Sequence, residues 1–296
     1  MKTNLKNCPK TFMKLGIALL GLAASFGVAN ATPISFDFSD IAIAPGSTTN
    51  FSTGGDKWRA NNVTMIGGVE LYAIFEITMT SIHQATPSAS ATNKIRFVQE
   101  FDSNNTLVSG PRLRMRFNNS SPAAATPLWA KVNVKFYDAS NHNEFSFTAG
   151  DSFLTQFDDL DSDPGANYSD LGGIRTGDFD TAFLYNPTNL IQDTTTIPGY
   201  RIGILEQPWT DQGNETSTDP AAQAPYTIAF RKEMQTAGLF SFNFVMGYNA
   251  VGASSANRHV DMDMTGILIP EPGTLILSVI LMASFGGLHL LKRRKQ

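Results

Sequence analysis

Several stretches of the chain alternate strictly along their length. In VELYAIFEITMT, Leu71, Ala73, Phe75, Ile77 and Met79 fall on one side, and Glu70, Tyr72, Ile74, Glu76 and Thr78 on the other. KVNVKFYD sets Val132, Val134 and Phe136 against Lys131, Asn133 and Lys135. RLRMRF sets Leu113, Met115 and Phe117 against Arg112, Arg114 and Arg116. LFSFNFVMGY gathers Phe240, Phe242, Phe244, Met246 and Tyr248, and HVDMDM opposes Val260, Met262 and Met264 to His259, Asp261 and Asp263. Successive strand side chains point to opposite faces, so a period of two predicts strands with one buried face. Turn-forming clusters such as NNSSPAAATP and NETSTDPAAQAP separate them. No convincing helical stripe interrupts this middle region. It predicts an all-β fold, an antiparallel β-sandwich of jelly-roll-like type, over residues 32–268.

The two ends follow another pattern. Near the start, Lys2, Lys6, Lys10 and Lys14 precede the apolar LGIALLGLAASFGVA, and Ala29-Asn30-Ala31 fits the small-x-small rule. Residues 1–31 are therefore expected to be a signal peptide that signal peptidase removes. Near the other end, residues 275–291, bounded by Leu275 and Leu291, contain no Asp, Glu, Lys or Arg. Seventeen helical residues rise roughly 26 Å, close to the least that crosses a bilayer core. Lys292, Arg293, Arg294 and Lys295 follow directly, and positive residues beside a span stay in the cytoplasm. The reading is a C-terminal transmembrane helix with its basic tail inside.

Just before that span stand Pro270, Glu271 and Pro272, preceded by Ile269. Two prolines keep the peptide extended and out of helix or strand. A Pro-Glu-Pro motif, an apolar span and an Arg/Lys tail resemble the PEP-CTERM sorting signal of bacterial exported proteins. The resemblance covers residues 269–296 only. It implies processing by an exosortase, a Gram-negative-type envelope and, commonly, an exopolysaccharide-producing host.

Charge sharpens the picture of the middle. Residues 32–270 hold 14 of the 22 basic residues and 25 of the 26 acidic ones, a net −11 against −4 for the whole chain. Such acidity argues against nucleic acid as a partner. The single cysteine, Cys8, falls in the leader. The exported part is thus expected to fold without disulfides, on core packing alone or with ions.

Candidate chemistry is sparse. In FDDLDSDPGANYSD, Asp159, Asp161 and Asp163 are spaced by two, Asn167 is ninth and Asp170 twelfth. That spacing resembles a D-x-D-x-D calcium loop, since calcium takes several oxygen ligands. Pro164, however, stands where the sharp-turn glycine belongs. A solvated acidic turn is the favoured alternative. His259, Asp261 and Asp263 read as a solvated strand face. Arg112, Arg114 and Arg116 read as a stripe that pairs with acids on neighbouring strands, or meets an acidic polysaccharide. Trp58, Trp129, Trp209, Tyr168, Tyr185 and Tyr200 are candidate sugar-stacking residues, most of them expected in the core or its rim. Motifs for a serine elbow, a zinc helix, a phosphate loop or a dinucleotide turn are missing from the sequence.

The expected function is that of a non-enzymatic surface or extracellular-matrix protein. It starts as an inner-membrane-anchored precursor and ends at the cell surface, in contact with exopolysaccharide or biofilm matrix. A carbohydrate-binding module and a secreted polysaccharide hydrolase are the alternatives.

Overall fold

The computed structural model describes residues 33–44, 57–81, 93–98, 112–119, 128–158, 160–162, 168–185, 188–205, 224–250 and 256–264. Sixteen strands are found there: β1 (Ile41–Ile43), β2 (Lys57–Ile66), β3 (Val69–Thr80), β4 (Asn93–Val98), β5 (Leu113–Asn119), β6 (Leu128–Asp138), β7 (Ser146–Phe147) and β8 (Ser152–Asp158), then β9 (Tyr168–Arg175), β10 (Thr181–Leu184), β11 (Leu190–Asp193), β12 (Tyr200–Leu205), β13 (Ile228–Glu233), β14 (Gly238–Leu239), β15 (Ser241–Ala250) and β16 (Ala256–Asp263). The helical content of these residues is a 3-10 turn at Ala224–Tyr226 and a single residue at Ser81. Among the described residues no helix is long and apolar enough to cross a membrane.

The strands form an eight-stranded sheet, β1-β2-β3-β6-β15-β9-β12-β11, and a six-stranded sheet, β10-β13-β8-β16-β5-β4. A two-stranded ribbon pairs β14 with β7. All strand pairings are antiparallel. The chain crosses between the two sheets repeatedly: β3 belongs to the larger, β4 and β5 to the smaller, and β6 to the larger again. The arrangement is broader than the eight-strand jelly roll of the sequence reading.

Phenylalanine fills the space between the sheets. Phe75 of the larger sheet meets Phe97 of the smaller at 5.6 Å between centroids. Phe157 meets Phe244 at 6.2 Å, and Phe117 meets Tyr248 edge-on at 6.5 Å. Such offset and edge-to-face pairs suit the aromatic quadrupole. The alternating positions of β5, β6, β15 and β16 point inward as their pattern requires: Leu113, Met115, Phe117, Val132, Val134, Phe136, Phe242, Phe244, Met246, Val260 and Met262 are all buried in this one cluster.

One position departs from its pattern. Met79 was expected on the buried side of β3 and is 47% exposed. The β3–β6 register shifts between Ile77 and Met79, so two residues oppose one. Such a bulge changes the alternation downstream, and Thr80 becomes buried instead.

The β2–β3 turn has a plain local cause. Ile66 pairs with Val69, leaving Gly67 and Gly68 as the loop, with φ of 58° and 85°. Positive φ at both central residues belongs to the turn whose twist matches a hairpin, and glycine reaches it without steric cost.

Candidate functional site

The polar side of the smaller sheet is built by register. Asp261 lies opposite Arg114 on one neighbouring strand and opposite Asp158 on the other. Asp263 lies opposite Gln156. Since the alternate residues of β5 and β16 fill the core, these charged groups share the opposite face. They pair with one another. Arg114 donates from Nε to Asp261 Oδ1 and from Nη2 to Asp261 Oδ2, each at 2.7 Å. This two-pronged geometry is the strongest form of arginine–carboxylate contact. Arg112 stands between two acids, with Nη2 3.9 Å from Asp158 and Nε 3.8 Å from Asp263. The Thr227 hydroxyl donates to Asp158 Oδ1 at 3.0 Å, and the Tyr185 hydroxyl bonds Gln156 Oε1.

This face is not solvated. Asp158, Asp261 and Asp263 are 4%, 2% and 7% exposed, which overturns the solvated reading of the Asp261 and Asp263 side of β16. The cause is in the neighbouring stripe: arginines directly across the ladder satisfy the carboxylates and let them be covered. The expectation that Arg112 and Arg114 pair across strands holds. Asp158 is the strained member. Burial pushes its carboxyl up to about 6, against the opposing pull of Arg112 and with a further push from Asp263. Desolvation disfavours the charged form, and a neighbouring like charge adds to that.

The acidic loop is described at its base only. Asp161 and Asp170 are both buried, and the Asp170 N–H donates to the Asp161 carbonyl at 2.9 Å. Ser162 and Ser169 complete this short antiparallel contact. The loop is therefore pinched between the second and the last of the expected calcium ligands. Asp159, Asp163 and Asn167 lie outside the described residues. Calcium takes six to eight oxygens; the described residues offer two carboxylates, and no group of three acidic or imidazole side chains among them could hold a metal.

The outer side of the larger sheet is different. Leu171, Ile202, Ile204 and Val245 form a small apolar cluster there with Ile197 and Tyr200, and the Trp129 side chain packs on it, half-buried. Two glycines make room. A Cβ at Gly247 would come within 2.6 Å of Trp129 Cβ, and one at Gly173 within 2.8 Å of Ile202 Cγ2. The Lys131 ammonium sits 4.7 Å from the Tyr200 ring centroid and 5.2 Å from that of Trp129. Burial lowers its pKa from the ordinary lysine value. Further along the same face, the Arg59 guanidinium lies 3.8 Å over Tyr72, which also stacks on Tyr137 at 5.2 Å and meets His142 edge-on at 5.9 Å. Cations over aromatic faces are attracted by the ring quadrupole.

Of the other candidate aromatics, Trp58 is buried in the core edge-on to Phe97, and Tyr185 is buried beside Leu154 and Ala229. Tyr168 lies in β9, and Trp209 falls outside the described residues. So do Ala29 and Ala31, the Pro270, Glu271 and Pro272 motif, the span bounded by Leu275 and Leu291, and Lys292, Arg293, Arg294 and Lys295. Sequence reasoning did not single out Lys131 or Arg59. The available signal was Trp129-x-Lys131, an aromatic and a cation two apart on the solvent side of an alternating strand.

No family model matches the chain, and no curated protein matches it. Among solved structures it is similar to the N-terminal domain of the Streptococcus gordonii adhesin Sgo0707, with a TM-score of 0.48 and 11% identity over 80% of this chain and 64% of that one. It is also similar to the DNA-bound adhesin domain of PrgB from Enterococcus faecalis, with a TM-score of 0.39 and 11% identity over 80% of this chain and 88% of that one. A third is the glucan binding protein C of Streptococcus mutans, with a TM-score of 0.35 and 9% identity over 85% of this chain and 80% of that one. The chain spans less than two thirds of the length of the first of these domains.

Proposed function

We propose that the chain is an exported, non-enzymatic surface or matrix protein. Signal peptidase removes the leader after Ala31, and the apolar run holds the precursor in the inner membrane. An exosortase recognises the Pro270-Glu271-Pro272 region and releases the sandwich to the cell surface or an exopolysaccharide layer. The observation that carries this reading is the order of three features within 28 residues: a proline-framed acid, a charge-free run and a basic tail. Each serves a physical need, namely an extended accessible peptide, a lipid-crossing segment and a cytoplasmic stop. The buried, arginine-bound state of Asp158, Asp261 and Asp263 supports a structural use of these acids. Mass spectrometry of the mature protein tests the processing: peptides ending upstream of the span are expected, and recovery of an intact KRRKQ end overturns it.

Calcium belongs to the same proposal as a stiffener of the 159–170 loop. Chelation is expected to lower the melting temperature of the full chain; an unchanged midpoint removes calcium from the account.

A carbohydrate-binding module is the second reading, favoured by Trp129 and Tyr200 on the outer side of the larger sheet. Glycan-array binding that vanishes on Tyr200→Ala or Trp209→Ala supports it, and unaltered binding by both variants counts against it.

A further inference from the structure

Among the described residues, cations on the outer side of the larger sheet have partners of two kinds. Lys57 pairs with Glu76, Lys135 with Glu144, and Arg175 with Asp178. Lys131 and Arg59 have no carboxylate among the described residues; each rests on aromatic rings instead. Arg59 Nε, in addition, is buried without a hydrogen-bond partner. In a region whose net charge is −11, these two cations are set over rings, with no acid beside them among the described residues.

We propose that this face binds a carboxylated glycan, with Lys131 and Arg59 each taking a sugar carboxylate and the half-buried Trp129 ring receiving an apolar sugar face. This rests on the surface-protein reading and names its ligand chemistry. A partly desolvated ammonium is the better partner for an anion, because little water remains to be removed when the pair forms. The lowered pKa of Lys131 is in line with that desolvation. Register separates the two cations by two strands and four residues: Arg59 lies opposite Ile74, Ile74 opposite Lys135, and Lys131 four positions before Lys135. At strand and residue spacings this is about 16 Å. That distance suits two acidic units of one polymer rather than a single carboxylate. The Trp129 backbone N–H donates to Ser81 Oγ at 2.9 Å, and its side chain packs on the Leu171–Val245 cluster.

Three polymers test the idea on the full chain in detergent micelles: polygalacturonate, its fully methyl-esterified form, and neutral dextran. Binding of polygalacturonate is expected, with the ester about tenfold weaker because the rings remain and the charge is gone. Lys131→Gln should weaken polygalacturonate about tenfold and the Lys131→Gln/Arg59→Gln double variant further, while Lys131→Arg stays close to wild type. Circular dichroism checks that each variant is folded. Equal affinity for acid and ester, or wild-type binding by the folded double variant, overturns the proposal. Binding of dextran alone also overturns it and leaves the surface-protein reading standing, since that reading falls only on the intact C-terminal peptide. Self-association that Lys131→Gln abolishes, without any glycan binding, assigns the face to a second copy of the chain and overturns the proposal equally.

Discussion

The outward face of the smaller sheet and the Lys131–Arg59 part of the larger one treat charge in opposite ways. On the smaller sheet, Asp158, Asp261 and Asp263 are buried and face Arg112 and Arg114 across the ladder. On the larger sheet, Lys131 and Arg59 stay partly exposed, with rings rather than acids as neighbours. Burying a charge requires a partner of opposite sign, so the first face is committed to holding itself together. Seating a cation on a ring contributes less and leaves the cation its capacity for an anion. One face thus serves stability, and the other is available for contact.

Breaking a pair on the first face should give the largest effect. Arg114→Met leaves Asp261 buried without its two-pronged donor, and the expected loss is about 3–5 kcal/mol in chemical denaturation. Combining it with Asp261→Leu should restore much of that loss, because an apolar pair replaces the ionic one. A double variant no more stable than Arg114→Met refutes the account of this face.

Asp158 gives the next effect, read through pH. Its folded pKa of about 6 lies above the ordinary 3.8, so the folded state holds its proton longer than the unfolded one. The resulting destabilisation is absent below about pH 4, grows as pH rises from about 4 to about 6, and is complete above that. It amounts to about 3 kcal/mol at most. Asp158→Asn should remove it: the melting temperature at pH 7.5 rises relative to wild type, while at pH 4 the two coincide. A variant with the same pH profile as wild type would show that Asp158 is not the titrating group.

On the second face the same experiments should barely register. Lys131→Gln and Arg59→Gln are each expected to cost no more than about 1 kcal/mol in denaturation. Lys57→Ala, which removes a solvent-exposed 3.5 Å ion pair with Glu76, should fall between about 0 and 1 kcal/mol. A loss near that of Arg114→Met at Lys131 would erase the distinction between the faces.

Much of the architecture is legible where apolar and polar residues alternate. β5, β6 and β16, and β3 as far as Ile77, follow their two-residue period, and their inward apolar side chains are those the pattern names. β8 is not legible in this way, because every residue from Ser152 to Asp158 is buried and the period disappears. β9 is hidden by its glycines. Gly172 carries no side chain because the Phe157 ring lies where a Cβ would be, 2.6 Å away. At the site, spacing marks Arg112 and Arg114 as a stripe that pairs across strands and puts Asp261 and Asp263 on the polar side of β16. It did not reveal their burial, because that depends on β8 arriving on the other side of β16. Lys131 reads as ordinary polar alternation; its aromatic seat needs Tyr200, 69 residues further along the sequence in β12.

β16 enters between β8 and β5, in the interior of the smaller sheet. Arg114 and Asp261, its closest ionic link to β5, are 147 residues apart in the chain. That sheet cannot zip up from its beginning: its middle place stays vacant until β16, the last of the described strands, joins it. Contacts so distant in sequence make for slow closure, and until then β8 and β5 each keep an unpaired edge, the kind to which another chain can add itself.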